Sequence, residues 1–285
     1  MIVIRGTVLK RKHAIIRLIC VVVFIAFAFA AFYNGLVVRR YTVGSEKLGP
    51  EDSIRAVLIS DLHSHIYGEN QKDLLSLIGR QKPDIILLAG DIADEEAPFK
   101  GTELFLTGVT KIAPVYYVSG NHELWSHSIG FIKRTMRSYG VTVLDSSYVK
   151  VKIGNVPVII AGVDDPDRYD RVSDLESSMY KAFSHLDEEQ GYKILLAHRP
   201  QLIDVCRQFN FDLVVSGHAH GGQVRIPFIL NGLYAPDEGW FPKHAGGAYK
   251  YGDLTHVVSR GIANTFLLPR IFNPPEVVVI DIKGN

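Results

Sequence analysis

Residues 54–285 are predicted to form an α/β fold with mixed β-sheets, on three observations. Short apolar runs rich in branched and aromatic residues recur along this stretch, and each ends in a polar residue. Segments with apolar residues at helical spacing lie between several of them. Residues 141–163, by contrast, hold three strand-like runs with no helical segment between them. Apolar runs bounded by turn residues read as buried strands. Strands alternating with helices point to right-handed α/β crossovers.

In chain order, "IRAVLIS" (Ile54 to Ser60) leads into Asp61-Leu62-His63, and "DIILLAG" (Asp84 to Gly90) into Asp91. "PVYYVSG" (Pro114 to Gly120) leads into Asn121-His122-Glu123. "YKILLA" (Tyr192 to Ala197) leads into His198, and "DLVVSG" (Asp212 to Gly217) into His218-Ala219-His220. Helices are predicted over "NQKDLLSLIGRQ", where Leu74, Leu75 and Ile78 share a face, and over His127 to Gly140. A third is predicted over Ser173 to Leu186, with Ser173 as its N-cap. "VTVL", "YVKVKI" and "VPVIIAGV" read as antiparallel strands, which would make the sheets mixed.

The whole chain has 285 residues, 47% of them hydrophobic, with a net charge of +1. That length suits one large domain or two small ones, and that charge offers no footprint for nucleic acid. The chain has two cysteines, Cys20 in an apolar leader and Cys206 in the body, neither in a metal-ligand spacing. A disulfide scaffold is excluded, and any metal must be held by nitrogen and oxygen.

The N-terminus divides into a basic segment (1–17), an uncharged apolar segment (18–38) and a linker (39–53). The apolar segment approaches the ~20 residues that span a bilayer. It reads as an uncleaved anchor, with a signal peptide cut near Ala28-Phe29-Ala30 as the alternative. Arg5, Lys10, Arg11, Lys12 and Arg17 outweigh Arg39 and Arg40, which favours a cytoplasmic N-terminus and an extracytoplasmic main domain. "YTVGSEKLGPEDS" is polar, with glycine and proline, and reads as linker. Residues 54–285 then form one continuous body.

"VVSGHAHGGQ" (Val214 to Gln223) places two histidines one residue apart between glycines. On a strand both imidazoles would share a face; a hairpin turn with two exposed histidines fits the stretch equally well. The other strand ends shift the balance. In open α/β sheets functional groups gather at the carboxyl ends of strands, and all five runs end in Asp, Asn or His. Two carboxylates, one amide and four histidines exceed what one metal needs and suit two metals sharing a carboxylate. Two ions about 3.5–4 Å apart can generate hydroxide at neutral pH and clamp an in-line displacement at phosphorus. Such ligation suits manganese first, with iron or zinc as alternatives, over calcium.

The ordered set Asp61-x-His63, Gly90-Asp91, Gly120-Asn121-His122-Glu123, His198 and Gly217-His218-x-His220 resembles the calcineurin-like metallophosphoesterase superfamily over residues 54–283. "GHAHGGQVRIP", "FPKHAGGAYKYG", "VSRGI" and "NPPEVVVIDI" look like its membrane-anchored bacterial branch. That branch is similar to enzymes cleaving the pyrophosphate of UDP-2,3-diacylglucosamine and to other phosphodiesterases. The resemblance implies a four-layer αββα sandwich of two mixed sheets. It also implies that Asp61, His63 and His220 hold one metal, that Asn121, His198 and His218 hold the other, and that Asp91 bridges them. His122 would bind no metal and would protonate the leaving oxygen or stabilise the transition state, with a carboxylate partner that the sequence does not identify. The implied activity is phosphodiester or pyrophosphate hydrolysis, with a lipid-linked substrate such as UDP-2,3-diacylglucosamine among the candidates. A phosphomonoesterase or phosphoprotein phosphatase of the same fold, and an anchored non-catalytic binding protein, are the alternatives.

Other residues carry two readings. His65 reads as a surface histidine, and Glu123 as a residue that orients its neighbours. Asp164 and Asp165 either line the cleft or form a solvated turn, and Arg199 either meets phosphate or is a surface charge. Tyr234, Trp240, Phe241 and Tyr249 either wall a substrate pocket or simply pack.

Overall fold

The computed structural model describes residues 2–263 and 269–285, with side chains described from residue 12 onward. The first sheet contains β1 (Val37–Ser45), β2 (Ser53–Ile59), β3 (Ile85–Ala89), β4 (Val115–Val118) and β5 (Thr142–Val143). The last strand of the chain, β14 (Glu276–Gly284), returns to lie between β1 and β2. The second sheet contains β6 (Ser147–Ile153), β7 (Val156–Val163), β8 (Tyr192–Ala197), β9 (Leu213–Ser216), β12 (Gly247–Tyr251) and β13 (Leu254–Val258). A small separate ribbon pairs β10 (Tyr234–Ala235) with β11 (Gly239–Trp240).

Both sheets are mixed. β2, β3, β4 and β5 run parallel while β14 is antiparallel to β2. β7, β8, β9 and β13 run parallel, flanked by antiparallel β6 and β12. Central strands are buried on both faces and their residues alternate between two cores. In β2, Ile54, Ala56 and Leu58 point between the sheets, where Ile160, Ile194 and Val215 come from the other side. Val57 and Ile59 point outward and meet α2 (Lys72–Gly79), α3 (Lys100–Val109) and α5 (Ile129–Ser138) through Leu74, Phe105 and Met136. A short helix, α4 (Asn121–Trp125), opens directly from the end of β4. On the far face, α6 (Val172–Phe183) and α7 (Ile203–Cys206) pack Leu175, Met179, Phe183 and Cys206 on Ile159, Leu195 and Val214. The result is the αββα sandwich.

Three local expectations are corrected. "VTVL" does not join an antiparallel meander, because β5 pairs parallel with β4 at the edge of the first sheet; β6 and β7 are antiparallel as expected. Ser173 is not an N-cap. The helix begins at Val172 after extended Arg171, and no side chain caps it. The third correction is larger. Residues 39–45 are not linker, because β1 pairs parallel with β14 along its whole length, from Val37↔Glu276 to Ser45↔Gly284.

Upstream of β1, α1 (Ile2–Ala31) ends before the apolar residues Leu36-Val37-Val38, two of which belong to β1. Among the described residues, the helix long and apolar enough to cross a membrane is Lys12–Ala31, 20 residues of mean hydropathy 2.8, with most of its surface exposed. Of the basic residues expected to precede the span, the side chains of Arg5, Lys10 and Arg11 lie outside the described residues.

The strand assignment of β1 makes a prediction about truncation. A chain beginning at Tyr33 keeps the β1–β14 ladder, whereas one beginning at Thr42 loses Val37 to Tyr41 and half of it. Thermal unfolding should place the shorter protein at least ~4 °C lower, at roughly 2–4 °C per kcal/mol for a domain of this size. Equal midpoints would mean that β1 contributes nothing.

Candidate dinuclear metal site

Parallel pairing puts the carboxyl ends of β2, β3 and β4 at one edge of the first sheet, and those of β8 and β9 at the matching edge of the second. The residues following these ends meet between the sheets. Glycines make the approach possible. A Cβ at Gly90 would strike the His198 ring, one at Gly120 the Asp91 carboxylate, and one at Gly217 both Ser60 and Asp61.

The eight residues expected at the site converge there. Asp61, His63 and His220 form one group of side chains that could hold a metal, and Asp91, His198 and His218 form another. Asp61, Asp91, Asn121, His63, His198, His218 and His220 are all buried. Asp61, His63, Asp91, His218 and His220 all have φ between 45° and 67°. Non-glycine residues adopt that left-handed region rarely, and such strain gathers at functional sites.

Several donor atoms point at no protein partner. Asp61 Oδ2, His63 Nε2, Asn121 Oδ1 and His198 Nε2 are buried without a hydrogen bond. Four orphaned lone-pair atoms in one cluster are costly without compensation. They are also the donor set that a pair of divalent cations would use, so the residues fit the ions. Hydrogen bonds fix the rings for that role. His198 Nδ1 lies 2.7 Å from the Ala89 carbonyl oxygen, so Nδ1 carries the proton and Nε2 is left with a free lone pair. His63 Nδ1 is tied in the same way to Asp94 Oδ2 at 2.7 Å.

Asp91 occupies the centre. Its Oδ1 accepts from the His122 backbone N–H at 3.0 Å. Its Oδ2 lies 3.0 Å from His198 Nε2 and 4.0 Å from His63 Nε2, between the two groups. Burial opposes ionisation of Asp91, but His198, His63 and His122 hold its carboxyl well below the usual carboxylate range. Burial likewise opposes charge on His198, and Asp91 outweighs it and raises that pKa to about 10. The field at this point therefore favours positive charge. His220 differs: burial, then His63 and Arg270, push it well below its ordinary value, which keeps the imidazole neutral.

Glu123 sets the loops that carry these residues. Its carboxylate accepts from the backbone N–H groups of Asp91, Ile92, Ala93 and Gly120 at 2.7–3.0 Å. One fully buried side chain thus ties the loop after β3 to the loop after β4. It orients its neighbours, as its position in the motif suggested.

His122 stands apart from the buried group, with its side chain 20% exposed. Its Nδ1 lies 2.6 Å from Glu95 Oε2 and 3.4 Å from Asp94 Oδ2, and its Nε2 faces the site 4.0 Å from Asp91 Oδ2. Burial lowers its proton affinity, but Asp94, Asp91 and Glu95 together raise its pKa to about 9. It is an imidazolium at neutral pH.

Sequence reasoning missed Asp94 and Glu95, although they follow Asp91 directly in "DIADEE". It also missed Asp237, whose Oδ2 lies 3.0 Å from His218 Nε2; nothing in its Gly/Pro-rich surroundings marks it. Asp164 and Asp165 are buried rather than solvated. Asp164 meets Ser119 and Lys133, while Asp165 holds Arg199. Arg199 also reaches Asp167 and Asp237, so it belongs to an acidic network beside His218. His65 is exposed, meets Tyr67 edge-on, and belongs to neither donor group.

The calcineurin-like phosphoesterase model matches residues 54–222, more than half of the chain. The chain belongs to that family. This phosphoesterase is 27% identical over 267 residues to the uncharacterized metallophosphoesterase YkoQ of Bacillus subtilis, covering 91% of this chain and 96% of that one. It is 28% identical over 214 residues to the phosphodiesterase YaeI of Escherichia coli, covering 74% of each. Its fold is similar to that of TT1561 of Thermus thermophilus, with TM-score 0.50 and 14% identity over 74% of this chain and 90% of that one. It is also similar to that of the sulfate thiohydrolase SoxB of the same genus, with TM-score 0.51 and 11% identity over 83% of this chain and 57% of that one. The phosphoesterase is a metal-dependent phosphoester hydrolase, and its family and donor groups support two divalent cations.

The central position of Asp91 predicts unequal effects of substitution. Asp91→Ala should lower metal content at both positions, whereas His63→Ala should deplete mainly one. Elemental analysis of the purified variants reads this directly, and two retained ions per chain in Asp91→Ala would remove its bridging role.

Proposed function

We propose that this phosphoesterase hydrolyses phosphodiesters or pyrophosphates at a dinuclear centre while α1 anchors it to a membrane. The observation that carries the reading is the pair of buried donor groups meeting at Asp91, with the cationic His122 at their open side. Asp61, His63 and His220 would hold one ion, Asn121, His198 and His218 the other, and Asp91 both. Manganese suits this donor set, with iron or zinc as alternatives. Two divalent ions supply Lewis acidity against the charge that develops on phosphoryl oxygens.

The chain's own residues supply the rest. Glu95 and Asp94 hold the His122 ring through Nδ1 and keep it charged, which directs its second proton, on Nε2, into the cleft. There it reaches a leaving oxygen. Substrate charge is the second consideration. Asp94, Glu95, Asp167 and Asp237 surround the donor groups, and Arg199 is already engaged by three aspartates. Carboxylates so placed disfavour a phosphomonoester dianion more than a diester monoanion. The phosphodiesterase among the relatives supports the same preference. The apolar α1 supports a lipid-linked substrate, of which UDP-2,3-diacylglucosamine is one, and the N-terminal basic residues support an extracytoplasmic domain. In the metal-loaded protein, bis(p-nitrophenyl) phosphate should turn over faster than p-nitrophenyl phosphate; the reverse order would make it a monoesterase.

His122 generates two further expectations. His122→Ala should lose about 10²–10⁴ in rate toward alkoxide leaving groups and much less toward p-nitrophenolate, which needs no proton. Equal losses would assign it to charge stabilisation instead. Activity that needs the imidazolium falls as pH rises through about 9, the pKa that Asp94, Asp91 and Glu95 raise against burial. Glu95→Gln removes one of those charges, so the alkaline limb of kcat/KM should move to lower pH by on the order of one unit. An unmoved limb would exclude His122 as its source.

A further inference from the structure

Beyond the donor groups, the catalytic domain carries an apolar projection that its cores do not use. Residues 226–230 form a tight turn closed by Ile226 and Leu230, whose backbone N–H groups donate to each other's carbonyls at 3.0 and 2.8 Å. At its tip Phe228 is fully exposed and Ile229 is 82% exposed. Phe228 has φ 67°, a region bulky side chains avoid, so the closed turn holds this display against strain. On the β10–β11 ribbon, Trp240 is 67% exposed and meets Tyr234 edge-on with ring centroids 5.5 Å apart, and Phe241, which follows the ribbon, is also 67% exposed. Exposed side chains of this size mark a partner surface.

The end of α1 indicates which partner. Phe272, a catalytic-domain residue, donates its backbone N–H to the Ala31 carbonyl at 2.7 Å, and its ring lies 5.2 Å from that of Phe27. Phe27 sits four residues inside the helix end, ~6 Å along the axis, so this part of the domain is level with the last turn of the apolar helix. Ile271 bridges to Val224, and its carbonyl accepts from Arg225 N–H at 2.9 Å. The turn therefore begins beside the point where α1 ends.

We propose that the turn 226–230, with Trp240 and Phe241, inserts into the surface of the bilayer that holds α1. Aromatic and aliphatic tips of this kind enter ~5–10 Å, to the boundary of headgroups and acyl chains. This inference rests on the reading of α1 as an anchor, and its test uses no turnover.

The full chain is reconstituted in vesicles of phosphatidylglycerol and brominated phosphatidylcholine. Its two tryptophans are replaced (Trp125→Phe, Trp240→Phe), and a single reporter is placed by Ile229→Trp or, on exposed α5, by Phe131→Trp. The reporter at 229 should emit at shorter wavelength and lose emission to the brominated lipid, while that at 131 should do neither. A vesicle-bound protein with equal emission from both reporters overturns the docking alone. A blue shift at 229 without quenching assigns the patch to a protein partner or a second copy and overturns it as well. Protein that does not float with the vesicles overturns the anchor and the docking together. Ile229→Cys carrying a polarity-sensitive label, in a chain with Cys20→Ser and both native tryptophans, provides the same readout if the tryptophan replacements unfold the protein.

Discussion

The structure depends on concentrating negative charge and unpaired nitrogen where two sheets meet. Desolvating a carboxylate costs several kcal/mol unless something compensates it, and Asp61, Asp91 and Glu123 are all buried within this one edge. Glu123 is compensated by four backbone N–H groups. Asp61 and Asp91 are only partly compensated, by the backbone N–H groups of His218 and His122 and by the neighbouring rings of His220 and His198. The remaining demand is for cations, and the rigid cores on either side prevent the cluster from relaxing. The same demand explains why so many of these residues tolerate left-handed backbone.

Much of this was legible in the sequence because the signals are local. A buried parallel strand is a short continuous apolar run, and a polar residue at its carboxyl end is visible at once; all five such ends took part in the site. What was not legible depends on distant partners. β1 reads as a linker because the residues from Tyr41 on are polar, with glycine and proline, and because Arg39 and Arg40 are exposed on an edge strand, where charge is normal and discourages aggregation. Its partner β14 lies at the far end of the chain. β5 is only two residues long and takes its direction from β4 rather than from its own sequence. Asp237 reaches His218 from a loop without periodicity. Asp94 and Glu95 could have been found, as acidic residues a few positions beyond a strand end that needed a partner for His122.

The acidic residues around the cleft act in two ways. They hold the rings of His63, His122 and His218 in place, and in the proposed function they would make the mouth selective by charge. An enzyme that binds phosphate with freely available arginines gains affinity for any phosphate. Here the cations would supply the attraction and the carboxylates would limit it, a division that favours substrates with less charge at the reacting phosphorus. The position of α1 against Phe272 adds a geometric limit, because it fixes one side of the domain beside a hydrophobic helix.

Metal loading of the unaltered protein tests the central claim most directly. Native mass spectrometry of metal-stripped protein titrated with manganese should show two ions per chain. At roughly 100 times Kd, binding contributes ~2.7 kcal/mol per site, or ~5.4 kcal/mol for two sites, so the unfolding midpoint should rise by roughly 10–20 °C. Saturation at a single ion, or two ions bound without any rise in the midpoint, would contradict the view that this buried cluster is built around a pair of cations.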